Sequence, residues 1–284
     1  MNAATAIAPA GIIPAGAVLP GTPAEVELPG HVSFTQIDCF ATCPEQYRQR
    51  YVLRRPYVRS AALVVGSAAH TAIQHGLAVK MATGEDAPVD AFDDALAAAW
   101  NSASSEGDVE WGGKAEGDHL DQAAALVRAY AEDVAPRVVP VAVEADVAVK
   151  LPGLSKVLVG RVDVVEAERL REVKTTAATQ SSPMPSWRVQ ARLYQAALLR
   201  PVVWDQLVKT KTPKALAGDG VLEVEYSPAA AAGAVSIAAG VVREIERLWS
   251  LFGPDEAWPM MGASHPWACS RCSARAACAW GASS

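Results

Sequence analysis

The sequence VLVGRVDVVEAERLREVKT spans residues 157–175 and predicts the central feature of this chain. Two short apolar runs flank the polar turn at 166–169, a pattern that is typical of a β-hairpin. Strands present successive side chains to opposite faces, so the hairpin sorts its charged residues into two sets. We therefore expect the rest of the chain to support this hairpin.

The charged residues of the hairpin indicate a site for a hard cation. Glu172 and Lys174 share one face of the second strand. Asp163 stands among valines on the first strand, where a lone carboxylate is costly unless it is paired or binds a metal. Folding brings Asp163 beside Glu172, which predicts a divalent-cation site with a lysine next to it that holds a water or a phosphate oxygen. The same residues are also ordinary on an exposed hairpin.

Composition limits the classes of protein to which the chain can belong. It has 284 residues, of which 51% are hydrophobic, so one large domain or two small ones can bury a core. The first 30 residues are rich in alanine and proline and predict a disordered tail. We expect no apolar run that crosses a bilayer, and therefore no membrane contact. The net charge of −6 means that any nucleic-acid contact needs a local basic surface.

A basic segment with interleaved aromatic residues lies at 45–59. The tyrosines at positions 47, 51 and 57 alternate with arginines in this otherwise acidic protein. This pattern favours contact with phosphates and bases, and equally fits a solvated helix face whose tyrosines lie in the core. The candidate DNA-contacting residues here are Arg48, Arg50, Arg54 and Arg55, and a second basic pair is formed by Lys209 and Lys211.

Helical periodicity is strongest on both sides of the hairpin. Gly66 begins a predicted helix that continues to about Thr83 and carries His70, which is either a packed core residue or a ligand. Residues 85–135 predict a helical insertion. On a later helix, Gln190 and Tyr194 are four positions apart and share one face.

The remaining segments predict strands and one long helix. A strand with Glu144 precedes the hairpin, since the period there is two, and we expect Glu144 to be solvated rather than to face the site. Further predicted elements are a strand at 207–214 that places Lys209 and Lys211 on one side, a strand at 221–226, and a helix over 229–252 with Val241, Ile245, Leu248 and Phe252 as its buried stripe.

Cysteines near the C-terminus indicate metal binding. Cys269, Cys272 and Cys278 have C-x2-C-x5-C spacing, and a fourth ligand is available at Cys43 or Cys39. Four cysteines hold either zinc or an iron–sulfur cluster. No export signal precedes them, so a disulfide scaffold is disfavoured and a cytoplasmic location is expected.

Several of these pieces, taken in order, resemble one family. The chain is similar to RecB-like nucleases of the PD-(D/E)XK superfamily, and within it to the iron–sulfur branch of CRISPR-associated exonucleases, helicase–nuclease subunits and viral exonucleases. Each motif alone is weak, and the ordered set is specific over most of residues 33–278. The matching residues are Ser33, Ile37, Phe40, Cys43, Pro44 and Tyr47, then Gly66 and His70, then Gly160, Asp163, Glu172 and Lys174, then Gln190 and Tyr194, and finally Cys269, Cys272 and Cys278.

The resemblance implies a fold and a set of catalytic residues. The expected fold is an α/β (α+β), restriction-endonuclease-like mixed sheet flanked by helices, in a single domain over 31–284. Mg2+ or Mn2+ would be bound by His70, Asp163, Glu172 and the backbone carbonyl of Val173. Lys174 would orient the attacking water. Gln190 and Tyr194 would support the site.

The resemblance also implies a cluster, a substrate and partners. Cys43, Cys269, Cys272 and Cys278 would hold a [4Fe–4S] cluster, with Zn2+ as the alternative, as a staple at 265–284. The expected function is a metal-dependent DNA exonuclease acting on single strands or duplex ends, in phage or bacterial DNA recombination, repair or end processing. The expected partners are DNA and recombination or replication proteins. Two other functions stay open: a catalytically idle DNA-end-binding factor that keeps the fold, and an iron–sulfur redox protein. Polarity and oligomeric state do not follow from the sequence.

Overall fold

The computed structural model of this chain describes residues 27–260 together with 269, 272, 274, 275 and 278. The strands within these residues are β1 (Val32–Ser33), β2 (Arg59–Ser60), β3 (Val109–Glu110), β4 (Ala142–Lys150), β5 (Val157–Val165), β6 (Leu170–Thr176), β7 (Val202–Val208), β8 (Lys214–Leu216) and β9 (Glu223–Val224). The α-helices of the same residues are α1 (Phe34–Thr42), α2 (Pro44–Tyr47), α3 (Ala61–Thr83), α4 (Val89–Ser105), α5 (Glu116–Asp133), α6 (Pro185–Leu198) and α7 (Pro228–Phe252). The predicted tail lies outside them up to residue 26.

A mixed sheet is organised around the predicted hairpin. β5 and β6 pair in antiparallel fashion, β4 covers one edge of β5, and β1 pairs with the other edge in parallel. β7 follows β6 in parallel, with β8 and β9 antiparallel to it on its far edge. The fold is therefore the α/β class expected, with a mixed sheet of seven strands in the described residues.

β7 differs from the prediction for this part of the chain. All seven of its residues, VVWDQLV, are buried, as is usual for a parallel strand covered on both faces. The strand ends at Val208, so the strand predicted at 207–214 is wrong. Lys209 and Lys211 lie instead in the turn that joins β7 to β8.

Helices α3, α4 and α5 cover one face of the sheet. Their apolar residues share a core cluster with residues of β5, β6, β7 and β8. Residues 85–135, predicted as an insertion, thus pack in the main core. α3 begins at Ala61, capped by the Ser60 hydroxyl, so Gly66 lies inside the helix rather than at its start. It ends at Thr83, followed by Gly84 in the left-handed conformation.

Helices α6 and α7 lie over another part of the sheet. Leu193 of α6 and Val242 of α7 belong to one cluster with Leu158 of β5. The buried stripe of α7 runs through Val242, Ile245 and Leu248. By length and composition alone α7 is also able to cross a membrane, contrary to the expectation, and core helices commonly meet that criterion.

Candidate active site

Asp163 and Glu172 lie side by side where β5 and β6 separate. The ladder between these strands ends at the Val164–Arg171 pair, and the next positions along it are Asp163 and Glu172. Side chains replace the missing ladder bonds: the Asp163 N–H donates to Glu172 Oε1 at 3.3 Å, and the Val173 N–H donates to Asp163 Oδ2 at 2.8 Å. Both carboxylates are buried, so they are held at positions set by the backbone.

Lys174 and α6 surround the Glu172 carboxylate. Lys174 Nζ donates to Glu172 Oε2 at 3.0 Å, and Gln190 Nε2 donates to the same oxygen at 3.2 Å. Gln190 also donates to the Tyr194 hydroxyl at 2.9 Å, and that hydroxyl donates to the Arg161 carbonyl at 2.8 Å. The helix face shared by Gln190 and Tyr194 is thereby turned towards the hairpin.

Gly160 is needed for this contact with α6. A Cβ atom at Gly160 would lie 2.8 Å from Tyr194 Cε1 and 3.3 Å from Val147 Cγ2. The 2.8 Å distance is shorter than carbon atoms tolerate and the 3.3 Å distance is tight, so a larger residue would push Tyr194 away from the sheet. The glycine three positions before Asp163 therefore has a packing role.

His70 reaches the same carboxylates from α3. Its Nε2 lies 2.7 Å from Asp163 Oδ2, and its Nδ1 lies 2.5 Å from Gln74 Nε2, one turn further along the helix. The His70 ring is thus held between two polar side chains, those of Asp163 and Gln74. Gly66, one turn earlier, contacts Thr175 of β6, and a Cβ there would meet its hydroxyl at an ordinary 3.5 Å.

Glu144 is a member of the site that the sequence analysis assigned to solvent. It lies on β4 opposite Asp163, between the pairs Val143–Val164 and Ala145–Val162. Gln74 Nε2 donates a short hydrogen bond to Glu144 Oε1. Ligand atoms of His70, Glu144 and Asp163 all lie within 4.8 Å of one another. The expectation of a solvated Glu144 is therefore wrong. Its position across from Asp163 is the signal that could have revealed it, and that position depends on strand register.

Burial and charge separate the two central carboxyl groups. Burial and, after it, the neighbouring Asp163 carboxylate raise the pKa of Glu172 to about 7, against the opposing effect of Lys174. Burial acts to raise the pKa of Asp163, but His70, Lys174 and the Val173 N–H together outweigh it and hold that pKa below its usual value. Carboxyl groups whose environments push their pKa values apart are a common feature of catalytic sites.

The basic segment divides into a buried arginine and an open groove. Arg48 is 6% exposed, donates to both oxygens of Glu45 at 2.8 and 2.9 Å, and donates to the Pro254 carbonyl at 2.5 Å. Arg48 therefore links Glu45 to Pro254, and its burial removes it from the set of residues predicted to contact DNA. A groove is lined instead by Arg50, Tyr51, Arg54, Arg55, Pro56, Tyr57, Val58, Arg59, Glu106, Gly107 and Asp108.

Arg50 and two tyrosines form the aromatic part of this groove. The Arg50 guanidinium lies 4.7 Å from the centre of the Tyr57 ring and 5.3 Å from that of Tyr51. Arg54 and Arg55 are exposed beside it. The groove adjoins the start of α3, and His70 lies ten residues after Ser60, about 15 Å along the helix axis.

The second predicted basic pair lies in the turn after β7. Burial lowers the pKa of Lys209, and Lys211 is exposed.

Four cysteines from the two ends of the described chain meet in one pocket. Cys43 lies between α1 and α2, and it lines the pocket with Cys269, Cys272 and Cys278. Glu45 helps to hold the N-terminal helices against the C-terminal segment, because its Oε2 accepts a hydrogen bond from the Trp258 N–H at 2.7 Å. Cys39 does not line the pocket; it packs in a neighbouring apolar cluster, and burial raises the pKa of its thiol to about 12.

Comparisons with known proteins bear on the family and the fold of this chain. The family model described as PD-(D/E)XK nuclease superfamily matches residues 31–279. A solved structure of a candidate exonuclease from Eubacterium rectale is similar with a TM-score of 0.51 and 14% identity, over 77% of this chain and 80% of that one. The structure of SSO0001 aligns over 87% of this chain and 95% of that one, at 9% identity and a TM-score of 0.36. No curated protein matches the sequence.

Proposed function

This chain belongs to the PD-(D/E)XK nuclease superfamily, and we propose that it is a divalent-metal-dependent deoxyribonuclease acting as an exonuclease on DNA ends. The observation that carries the proposal is the convergence of His70, Asp163, Glu172 and Lys174 from α3, β5 and β6 on one point. The likeness in fold to a candidate exonuclease supports the exonuclease assignment.

The donor set fits Mg2+ or Mn2+. Carboxylate oxygens, a backbone carbonyl and one imidazole are hard or borderline ligands, and no thiol approaches them among the described residues. Two carboxyl groups, each at most 5% exposed, also need positive charge nearby. We propose that His70, Asp163, Glu172 and the Val173 carbonyl hold the cation. When bound, it supplies charge stabilisation at the phosphate and lowers the pKa of water.

The side chains of this protein orient the reaction around that cation. Lys174 is a cation that does not compete for metal, so its ammonium stabilises the negative charge that builds on the phosphoryl oxygens and orients the attacking water. Gln190 and Tyr194 hold Glu172 in place through the hydrogen bonds described above. The Glu172 bond to Lys174 at 3.0 Å keeps the ammonium next to the reacting phosphate.

The groove near α3 is proposed to hold the DNA strand. Arg50, Arg54 and Arg55 offer positive charge for phosphates, and Tyr51 and Tyr57 offer rings on which bases stack. Lys209 and Lys211, in the turn after β7, are proposed as further phosphate contacts. The distance from the groove to His70 is short enough for one strand to reach the cleavage site. We place this activity in recombination, repair or replication of phage or bacterial DNA in the cytoplasm.

Cys43, Cys269, Cys272 and Cys278 are proposed to hold a [4Fe–4S] cluster that ties α1 and α2 to the C-terminal segment. Their common pocket supports this proposal. Protein purified without oxygen should be brown, and Cys43→Ser, Cys272→Ser or Cys278→Ser should be colourless and prone to aggregate. Cys39→Ser is the matched control and should keep its colour. If elemental analysis finds zinc instead of iron and sulfide, these cysteines hold a zinc ion and not a cluster.

DNA cleavage tests the proposed function. End-labelled single-stranded and duplex DNA should be degraded from their ends with Mn2+ or Mg2+ and remain intact with EDTA. Glu172→Ala should abolish cleavage while the melting temperature of the metal-free protein does not fall. Wild-type protein that binds DNA ends and cuts neither substrate with either metal would establish an idle end-binding factor instead.

A further inference from the structure

The groove beside α3 is lined by two segments of opposite charge. The segment at 50–59, the basic wall, presents Arg54 and Arg55. The segment at 106–108, the acidic wall, joins α4 to β3 and presents Glu106 and Asp108. A groove that only follows a DNA backbone needs positive charge along its length, since every phosphate is repelled by a carboxylate. The acidic wall therefore indicates contact with a different part of the ligand.

The backbone of the basic wall is unusual in two neighbouring places. Arg50 and Tyr51 belong to a π-helical turn, Arg48–Val52. Arg54, just after this turn, has a φ of +50°, in the left-handed region that a residue with a Cβ atom rarely adopts. Both π-helical turns and left-handed residues other than glycine are frequent at functional sites, where the surrounding structure holds them. Their occurrence together indicates that the groove is built to bind a ligand.

Arg59 fixes the acidic wall against the basic wall. Its guanidinium donates to the Ala103 carbonyl at 2.6 Å and to Glu106 Oε2 at 2.9 Å, and its N–H donates to the Asp108 carbonyl at 2.9 Å. Arg59 is only 7% exposed, and it pairs with Val109 where β2 and β3 run in parallel. A buried arginine and a strand pair therefore set the position of the two carboxylates.

These contacts leave hydrogen-bond acceptors on the acidic wall. The Glu106 side chain is 63% exposed, and Arg59 binds only its Oε2. None of the described residues forms a hydrogen bond or an ion pair with the exposed Asp108 carboxylate. Ionised carboxylates accept hydrogen bonds and donate none, so they bind N–H groups and reject phosphates and carbonyl oxygens. In DNA, such N–H groups lie on the edges of the bases.

The size of the groove limits how much DNA it can hold. It encloses about 780 Å3, whereas sites for single small molecules enclose roughly 300–1,000 Å3. One or two nucleotides of a single strand therefore fit, and a duplex does not. In a duplex the N–H edges of the bases are also already paired, and a second row of phosphates would approach the acidic wall.

We propose that Glu106 and Asp108 contact the base edges of single-stranded DNA and determine which bases the groove prefers. The phosphates of the strand lie on Arg54 and Arg55, and its bases stack on the tyrosines of the groove. The inference rests on the proposed function for its ligand, DNA, and a duplex end enters as one frayed strand. Guanine offers a carboxylate two adjacent donors, N1–H and the N2 amino group, so it is preferred. Thymine is bound least, because its one N–H lies between two carbonyl oxygens.

Asp108 and Glu110 form a matched pair for mutation. Glu110 is exposed two positions further along, pairs with Ser60 in the β2–β3 ladder, and does not line the groove. Asp108→Asn and Glu110→Gln each remove one negative charge from nearly the same place. A general change in attraction for DNA therefore affects both variants, and the loss of a base contact affects Asp108→Asn alone.

Fluorescence anisotropy tests the proposal without any need for cleavage. Full-length protein carrying Glu172→Ala is titrated without Mn2+ against oligonucleotides of about 12 nucleotides, a usual length for single-strand sites. The alternating thymine–guanine strand should bind at least about fivefold more tightly than oligothymidine. A strand with hypoxanthine, which lacks the N2 amino group, should lie between them, and a duplex of equal length should bind most weakly. Asp108→Asn should lower the fivefold ratio towards one, and Glu110→Gln should keep it.

The outcomes separate this inference from the proposed function. Equal affinity for the two strands, a duplex bound as tightly as a single strand, or an unchanged ratio in Asp108→Asn would overturn the base contact even if the wild type cuts DNA. The expected preference in a protein that cuts no DNA with either metal would keep the groove and refute the nuclease. If Asp108→Asn melts early, Glu106→Gln is the second variant. It keeps an oxygen for Arg59 and should lower the same ratio.

Discussion

Arg171 and Glu172 are adjacent on β6 and belong to two polar networks of different character. Arg171 is 2% exposed, and its guanidinium donates to Glu166 Oε2 at 3.1 Å, Asp205 Oδ1 at 2.6 Å and Asp219 Oδ1 at 2.9 Å. Asp205 accepts further bonds from the Tyr130 hydroxyl and the Gly218 N–H. A permanently charged group thus sits in the middle of this network.

The network around Glu172 has no guanidinium at its centre. Its cations are Lys174, on Glu172, and His70, which is charged only when protonated, together with the exposed Arg161 at 3.6 Å from Glu144 on its edge. The carboxylates of Glu144 and Asp163 complete it. Similar burial therefore serves two purposes, one structural and one suited to binding. In the Arg171 network the positive charge belongs to a side chain of the protein. Around Glu172 part of the positive charge must come from a bound cation or a proton.

Removing the built-in cation should give the largest effect on stability. Arg171→Met leaves Asp205 buried without its charged partner, which costs about 3–5 kcal/mol. The midpoint of urea denaturation should therefore fall sharply. Arg247→Met, which removes an exposed cation from α7, should leave the midpoint unchanged. Equal midpoints for Arg171→Met and wild type would mean that the two networks do not differ as described.

Lys174→Met should lower activity far more than stability, because Glu172, with its pKa raised to about 7, can take up a proton once its cation is gone. Loss of one charge-stabilising group at a reacting centre lowers kcat by about 10²–10³-fold, or about 2.7–4 kcal/mol. Single-turnover cleavage of end-labelled DNA with Mn2+ measures the loss. A matched Lys156→Met change, distant from the site at the Pro29 carbonyl, should cleave normally. Normal cleavage by Lys174→Met would remove this lysine from the reaction.

The pH dependence of stability should distinguish Glu172 in the metal-free protein. Its pKa is raised from 4.5 to about 7, so the stabilisation is fully present below pH 4.5 and is lost as the pH rises through about 7. Since one pKa unit corresponds to about 1.4 kcal/mol, the loss reaches at most about 3 kcal/mol. A glutamine cannot ionise at this position. The melting temperature of Glu172→Gln should therefore rise relative to that of the wild type as the pH increases from 5 to 8. Parallel curves would contradict the raised pKa.

The smallest effect concerns the groove, which lies outside both networks. Arg54→Ser and Arg55→Ser should each lower the slope of log Kd against log salt by about 1, because each phosphate contact releases counterions. Arg48→Ser should instead lower the melting temperature, since Arg48 is buried against Glu45. Fluorescence anisotropy with labelled DNA and an inactive Glu172→Ala background provides the measurement. A slope unchanged by both groove variants would place the DNA elsewhere.

Local patterns in the sequence were sufficient for much of the fold. The apolar runs around the turn at 166–169 form β5 and β6, and the four-residue spacing of Gln190 and Tyr194 places both on one face of α6. These predictions succeed because periodicity and turn chemistry depend on residues that are near each other along the chain.

The sequence by itself determined the hairpin, the helices and the chemical types of the central residues. Only the tertiary structure decided that Glu144 faces Asp163, that Arg48 is buried against Glu45, and that Lys209 lies in a turn. Strand register, the crossing of α3 over the sheet and the burial of one arginine among several depend on contacts between distant segments. The charge and periodicity of neighbouring residues do not specify those contacts. The same glutamate or arginine is equally compatible with solvent when no distant segment packs against it.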